Sequence, residues 1–168
     1  MFELVTGGAA SGKSEYAEGL LHRLKDGKYY IATMESDSTK SRERIIRHRR
    51  LRAGKGFETI ECPCDIAKIK LPSEAKGVLV ECITNLLANE MFAGERCGAG
   101  KRVITGIGAL KNQVENLVVV TGEVGNDGKK YDEFTEEYIN TLAKVNRVLA
   151  KEADRVTEVV VGIPVRFK

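Results

Sequence analysis

The chain has 168 residues, of which 42% are hydrophobic and 30% are charged, and its formal net charge is +3. This composition is typical of a soluble globular protein, and the apolar runs have the length of strands, so the sequence predicts no membrane span. A net charge this small does not by itself indicate nucleic-acid binding. We expect a single domain over residues 1–168 and, because the N-terminus has no signal-peptide pattern, a cytoplasmic location.

Short apolar runs alternate along the chain with longer segments of helical periodicity, which predicts an α/β fold with a mostly parallel central sheet flanked by helices. The predicted strands are residues 2–6, 28–33, 57–61, 77–82, 116–121 and 155–161. The predicted helices are residues 12–25, 41–53, 83–92, 111–115 and 132–152. Residues 94–108 are rich in glycine and weakly patterned, so we expect a loop or a frayed element there.

Between the first strand and the first helix, the sequence GGAASGKS matches the phosphate-binding pattern GxxxxGK followed by Ser or Thr. Glycines allow the backbone to curl so that successive N–H groups point at phosphate oxygens. The lysine would reach the β and γ phosphates, and the final hydroxyl would bind Mg²⁺. The motif therefore predicts a P-loop NTPase-like fold that binds ATP or GTP through Gly7, Gly8, Ala9, Ala10, Ser11, Gly12, Lys13 and Ser14.

Enzymes with this loop also place an acid at the end of a neighbouring apolar strand, where it organises the magnesium ion. Glu81 closes the run GVLVE and is the candidate, although a strand-end carboxylate that faces solvent is an open alternative. The loop does not specify the acceptor of the phosphoryl group. The length of the chain favours a small-molecule kinase over a nucleic-acid motor.

Residues 42–52 read RERIIRHRRLR, a basic run with one histidine, His48. The local sequence favours a solvated helix face with an incidental histidine. An RNA-binding face is a weaker interpretation, because no aromatic residues alternate with the arginines. The four cysteines, two of them in Cys62-Pro63-Cys64, are better explained as reduced thiols than as a zinc site, since no second pair of ligands is apparent.

Several segments in a fixed order resemble one known family, the bifunctional adenosylcobinamide kinase/adenosylcobinamide-phosphate guanylyltransferases of cobalamin biosynthesis. They are VTGGAASGKSEYAE at 5–18, YIAT at 30–33, RIIRH at 44–48, ETIEC at 58–62, VLVECITNLLAN at 78–89 and VVVTGEVG at 118–125. In the C-terminal third, Ile139, Asn140, Ala143 and Arg147 depart from the family pattern.

The resemblance implies a two-step transferase and a set of site residues. The enzyme would phosphorylate adenosylcobinamide with ATP or GTP, and then transfer GMP from GTP through a guanylyl-histidine. The resemblance places this histidine at His48 and implies a homotrimer. It also implies nucleotide contacts from Thr33, Met34, Glu35, Arg49, Arg50, Leu51, Arg52, Glu61 and Glu81.

Two questions stay open from the sequence. Either Glu61 or Glu81 could bind guanine while the other serves the metal. A P-loop kinase with a different acceptor, or a non-catalytic nucleotide-dependent binding protein, is the alternative function.

Overall fold

The structure is a computed structural model, and it describes residues 1–35, 43, 45–46, 49–50, 53–93, 96–125 and 128–168. The strands are β1 (Phe2–Thr6), β2 (Lys28–Ala32), β3 (Phe57–Glu61), β4 (Gly77–Glu81), β5 (Asn116–Val120), β6 (Arg155–Val160) and β7 (Ile163–Arg166). The helices with defined bounds are α1 (Lys13–Leu20), α2 (Ile83–Ala93), α3 (Ala99–Lys111) and α4 (Glu133–Glu152), with a 3₁₀ turn at Ile66–Lys68.

The seven strands form one sheet in the order β3-β2-β4-β5-β1-β6-β7. Every neighbouring pair is parallel except β6 and β7, which are antiparallel. The central strands β4 and β5 are apolar because helices cover both faces of the sheet there. The predicted fold class, an α/β P-loop NTPase-like fold with a mostly parallel sheet, is confirmed.

Side chains that alternate along the strands build two cores, one on each face of the sheet. Phe2 and Leu4 of β1 face the larger core, which is built with α2, α3 and α4. Val5 of the same strand faces a smaller core under α1. This alternation fixes the strand register and thereby aligns the carboxyl ends of the parallel strands at one edge.

Helix α4 confirms its prediction almost to the residue. Asp132 caps its N-terminus, since a carboxylate oxygen accepts a bond from the backbone N–H of Thr135 at 3.0 Å. Leu142, Val145 and Leu149 recur at spacings of three and four and are buried. Within the described ranges, no helix is long and apolar enough to cross a membrane.

The predicted helix at 111–115 is wrong, and so is the loop predicted at 94–108 from residue 99 onward, because α3 occupies Ala99–Lys111. The glycines there are packing sites. A Cβ on Gly106 would lie 2.4 Å from Cγ1 of Ile66, and one on Gly100 would lie 3.0 Å from Cγ2 of Thr141. Close packing against α4 and the 3₁₀ turn therefore outweighs the poor helix propensity of glycine.

The remaining points concern the end of one helix, an unpredicted strand and a predicted helix that the structure describes only in part. Helix α1 ends at Leu20 instead of 25, because the chain continues in tighter turns such as the bond from the Leu21 N–H to the carbonyl of Glu18. Strand β7 was not predicted at all. Of the predicted helix at 41–53, residues 43, 45–46 and 49–50 are helical, and seven of its residues lie outside the described residues.

Candidate nucleotide-binding site

An open cleft of about 1220 Å³ lies along the carboxyl ends of the parallel strands. Segments that follow β1, β2, β3, β4 and β5 all contribute to it, as expected for the ligand crevice of an α/β sheet. It brings together twelve of the predicted site residues: Gly7, Ala9, Ala10, Ser11, Gly12, Lys13, Ser14, Met34, Glu35, Arg49, Glu61 and Glu81.

The loop between β1 and α1 forms the end of the cleft that we name the phosphate end. Gly7 has a φ of +150°, and a Cβ on it would lie 2.6 Å from the carbonyl oxygen of Val159. Gly12 has a φ of +92°, in the left-handed region. Larger residues at these two positions would strain or displace the backbone, so the loop geometry depends on both glycines.

The hairpin turn between β6 and β7 supports this loop from outside. The backbone N–H of Gly162 donates to the carbonyl oxygen of Ser11 at 2.8 Å. Lys13 begins α1 and extends over the loop, where its Nζ donates to the carbonyl oxygen of Gly8 at 2.8 Å. The ammonium group and the N-terminus of α1 thus present positive charge to the same end of the cleft.

Glu81, at the end of β4, faces the phosphate end. Its Oε1 accepts a hydrogen bond from the Ser14 hydroxyl, and its Oε2 accepts one from the Tyr30 hydroxyl at 3.0 Å. Strand β4 is not adjacent to β1, because β5 lies between them. The two side chains meet because α1 packs across β5 and β4 and carries Ser14 to the carboxylate.

The opposite end of the cleft, which we name the arginine end, is formed by residues after β2 and by β3. Arg49 forms an ion pair with Glu61, the last residue of β3, and their side chains are 57% and 62% exposed. An ion pair this exposed contributes little to stability, about 0–1 kcal/mol. A ligand could therefore displace either partner at small cost, and both groups remain available for recognition.

Thr33 is fully buried beneath the cleft rather than lining it. Its Oγ1 lies 2.9 and 3.0 Å from the carbonyl oxygens of Glu81 and Cys82, and accepts a bond from the N–H of Cys82 at 2.8 Å. Asn89 of α2 donates to the carbonyl oxygens of Thr33 and Pro63 at 2.8 and 3.0 Å. These contacts hold the ends of β2, β3 and β4 together.

The remaining predicted residues fall into three groups. Gly8 contributes its carbonyl to Lys13 without lining the cleft, and Arg50 is exposed outside it. His48, Leu51 and Arg52 lie outside the described residues. Arg49, which directly follows His48 in the sequence, does line the cleft.

Sequence reasoning missed several cleft residues that follow β4 and β5. The rule that ligands bind at the carboxyl ends of parallel strands could have found them, since Cys82 ends a predicted strand and each of the others follows one within a few residues. They are Cys82, Thr84, Asn85, Gly122, Glu123 and Val124. Tyr30 was predicted only as part of a strand.

The cysteines near the cleft are thiols in a partly apolar setting. Burial raises the pKa of Cys82, whose Sγ lies 2.8 Å from the Thr84 hydroxyl. Burial also raises the pKa of Cys62, whose Sγ donates to the carbonyl oxygen of Cys64 at 2.9 Å. Among the described residues, no three His, Cys, Asp or Glu side chains are grouped so that they could hold a metal ion.

The loop, the helix N-terminus and the facing carboxylate together define a P-loop nucleotide-binding protein of the α/β class. A search of solved structures agrees on the fold: the RadB recombinase aligns with a TM-score of 0.52 at 16% identity, over 94% of this chain and 73% of that one.

Residues 3–167 match the family model described as "Cobinamide kinase / cobinamide phosphate guanyltransferase", so the chain belongs to this family. Full-length relatives agree. The chain is 33% identical to the bifunctional adenosylcobalamin biosynthesis protein CobU of Salmonella typhimurium, with 100% of both chains covered. It is 31% identical to CobU of Escherichia coli, again over 100% of both, and 29% identical to CobP of Pseudomonas aeruginosa, over 100% of this chain and 98% of that one.

Proposed function

We propose that this chain phosphorylates the hydroxyl group of adenosylcobinamide with ATP or GTP and then joins GMP from GTP to the new phosphate. One observation carries the proposal beyond family membership. A single cleft is lined by the P-loop, except Gly8, at one end and by Arg49 at the other, and Arg49 directly follows His48 in the sequence.

The phosphate end suits the kinase step. Backbone N–H groups of the loop and Lys13 would hold the β and γ phosphates while the acceptor hydroxyl attacks the γ phosphorus and the nucleoside diphosphate leaves. The hydroxyl of Ser14 and the carboxylate of Glu81 are hard oxygen ligands of the type that Mg²⁺ prefers, and they already face each other. When bound there, Mg²⁺ would offset the negative charge of the phosphates.

His48 would carry the guanylyl step as a nucleophile. A nitrogen of its imidazole attacks the α phosphorus of GTP, the bond from that phosphorus to the oxygen bridging to the β phosphate breaks, and pyrophosphate leaves. A phosphate oxygen of cobinamide phosphate then attacks the same phosphorus and breaks the P–N bond, which releases adenosylcobinamide-GDP and restores His48. Splitting one transfer into two lowers each barrier, and the guanidinium of Arg49 would stabilise the charge that develops on the phosphates.

The two carboxylates receive different roles in this proposal. Glu81 lies at the phosphate end and is bonded to Ser14, which supports a metal role. Glu61 lies at the arginine end in an exposed ion pair, which supports recognition of guanine. A carboxylate can accept bonds from both N1–H and the exocyclic amine of guanine, and adenine offers no matching pair of donors.

The test of the proposed function is product analysis with each nucleotide. With Mg²⁺ and ATP alone, we expect adenosylcobinamide phosphate and ADP. After GTP is added, we expect adenosylcobinamide-GDP and one equivalent of pyrophosphate. An acceptor recovered unchanged with both nucleotides, under conditions where both bind, would contradict the proposal.

The resemblance to the family also supports a cytoplasmic homotrimer. Sedimentation equilibrium of the purified chain would measure the oligomeric state directly, and a monomer at micromolar concentration would contradict this part of the proposal.

A further inference from the structure

Two aromatic rings and an arginine form an unusual surface beside the cleft. Phe92, in the last turn of α2, is 74% exposed. Its ring centroid lies 4.9 Å from that of Phe134 in α4, and the guanidinium carbon of Arg96 lies 4.6 Å from the Phe134 ring centroid. We name these three residues the Phe92 surface.

The Phe92 surface is continuous with the cleft through two helices. Asn85, in the first turn of α2, lines the cleft, and Phe92 follows it by seven residues. Seven residues correspond to two turns, so Phe92 lies on the same face of α2, about 10 Å along its axis. On α4, Tyr138 lies one turn after Phe134, and its hydroxyl donates to the carbonyl oxygen of the cleft residue Thr84 at 3.0 Å.

We infer that the Phe92 surface binds the corrin ring of the acceptor while the arm that bears the hydroxyl enters the cleft. This inference rests on the proposed function. A nucleotide and the acceptor must be bound at the same time. Because the nucleotide would occupy the P-loop and the arginine end, the corrin ring must bind at the outer margin of the cleft. A corrin ring is broad, partly apolar and edged with carboxamide groups.

The chemistry of the surface matches that ring. The exposed ring of Phe92, which packs against the half-buried ring of Phe134, supplies an apolar contact that loses little conformational entropy on binding. Arg96 offers several N–H donors to carboxamide oxygens. Val124, which is 40% exposed and lines the cleft, adds an apolar side chain at the cleft itself.

The test is equilibrium dialysis of cobinamide against the full chain, with Phe92→Ala, Phe92→Tyr and Arg96→Gln as variants. We expect Phe92→Ala to weaken cobinamide binding about ten- to a hundredfold, as loss of a buried aromatic contact would. Phe92→Tyr keeps the ring and should retain near wild-type affinity, whereas Arg96→Gln should be intermediate. GTP affinity should stay unchanged in all three.

Phe167→Ala is the matched control. Phe167 is 67% exposed, and its backbone N–H donates to the carbonyl oxygen of Val156 near the start of β6. This contact lies at the amino ends of the parallel strands, whereas the cleft lies at their carboxyl ends. This variant should bind cobinamide normally. An equal loss in Phe167→Ala would mean that any exposed apolar residue matters, and would overturn the assignment.

Two further results would overturn it. One is unchanged cobinamide affinity in Phe92→Ala. The other is a changed molar mass of Phe92→Ala by light scattering, which would identify the surface as a subunit contact. If the wild type makes adenosylcobinamide phosphate while Phe92→Ala binds cobinamide normally, this inference fails and the proposed function stands. If the wild type binds no cobinamide, both fail.

Discussion

The two ends of the cleft are built in different ways. The phosphate end is built mainly on backbone, namely one loop, one helix N-terminus and two glycines whose conformations admit few other residues, and Lys13, Ser14 and Glu81 add side chains to it. The arginine end is made of side chains on separate strand ends, with an exposed ion pair between Arg49 and Glu61. Buried contacts of Thr33 and Asn89 support this second end from below.

This difference suggests how one cleft can serve two reactions. A backbone cradle recognises phosphates, which every nucleoside triphosphate carries, so the phosphate end need not distinguish ATP from GTP. Side chains in an open ion pair can rearrange around a base and its α phosphate, so the arginine end can be selective. Substitutions at the two ends should therefore separate the two activities.

The largest effect is expected from Lys13→Ala. Removing the only side-chain charge that the P-loop supplies should lower the kinase kcat by about 10²–10³, the usual loss for one preorganised group that stabilises developing charge. Steady-state kinetics with ATP and adenosylcobinamide measures this. Lys144→Ala, on the exposed surface of α4, is the control, and equal losses in both variants would show that the effect is not local.

A paired substitution of the two carboxylates sharpens the comparison. Glu81→Gln should raise the Mg²⁺ concentration needed for half-maximal kinase activity about tenfold or more, because a formal charge beside the metal is removed. Glu61→Gln should leave that concentration unchanged and instead reduce the preference for GTP over ATP by about tenfold, within the range for one bidentate contact to a base. Activity titrations with Mg²⁺ and with each nucleotide measure both. The opposite pattern would reverse the two roles.

Asn89→Asp tests whether the arginine end needs its support from α2. The substitution keeps the shape of the side chain but replaces two N–H donors with a carboxylate that faces two carbonyl oxygens. We expect the KM for GTP in guanylylation to rise about tenfold, as expected when buried acceptors lose their donor, and the KM for ATP in the kinase reaction to change less.

The aspartate variant also carries a pH signature. Protonation of the carboxyl group introduced at position 89 lets it donate one hydrogen bond. GTP affinity should therefore recover partly as the pH falls, whereas general damage to the fold would give no such recovery. Asn116→Asp is the matched control, because that amide also donates to a backbone carbonyl, that of Lys76, but lies at the start of β5, away from the cleft. A parallel rise in both KM values for Asn89→Asp would contradict the idea of two separately supported ends.

The smallest effect concerns thiol reactivity. The raised pKa of Cys82 leaves less thiolate at a given pH, so its alkylation at pH 8 should be slower than that of the exposed Cys97. Because Cys82 lines the cleft, bound nucleotide should slow it further and leave Cys97 unchanged. Mass spectrometry of peptides after timed alkylation resolves the two rates, and faster reaction at Cys82 would contradict its assigned burial.

The phosphate end could be predicted from sequence because its determinants are local. Gly7, Gly12, Lys13 and Ser14 lie within eight consecutive residues, and the strand and helix that flank them have clear periodicity. Glu81 could also be predicted, since it ends an apolar strand. Its bond to Tyr30 could not, because the two residues are 51 positions apart and meet only through the pairing of β2 with β4.

The arginine end and α3 depend on tertiary structure, which the local pattern does not contain. Thr33 follows a strand, as a ligand-binding residue would, but its hydroxyl bonds backbone atoms at the end of β4 and is used for backbone support. Helix α3 was missed because its glycines indicate a loop, although they are sites of close helix packing. Neither outcome follows from composition or periodicity.

The most direct test of a two-reaction cleft is incubation with Mg²⁺ and GTP labelled at the α phosphate, followed by denaturing electrophoresis. We predict label on the wild-type chain that is labile to acid and stable to alkali, as expected for a P–N bond. It should be absent in His48→Ala and retained in His22→Ala, the other histidine of the chain, while His48→Ala keeps its kinase activity. Label that persists in His48→Ala, or no label in a wild-type chain that binds GTP, would contradict the account.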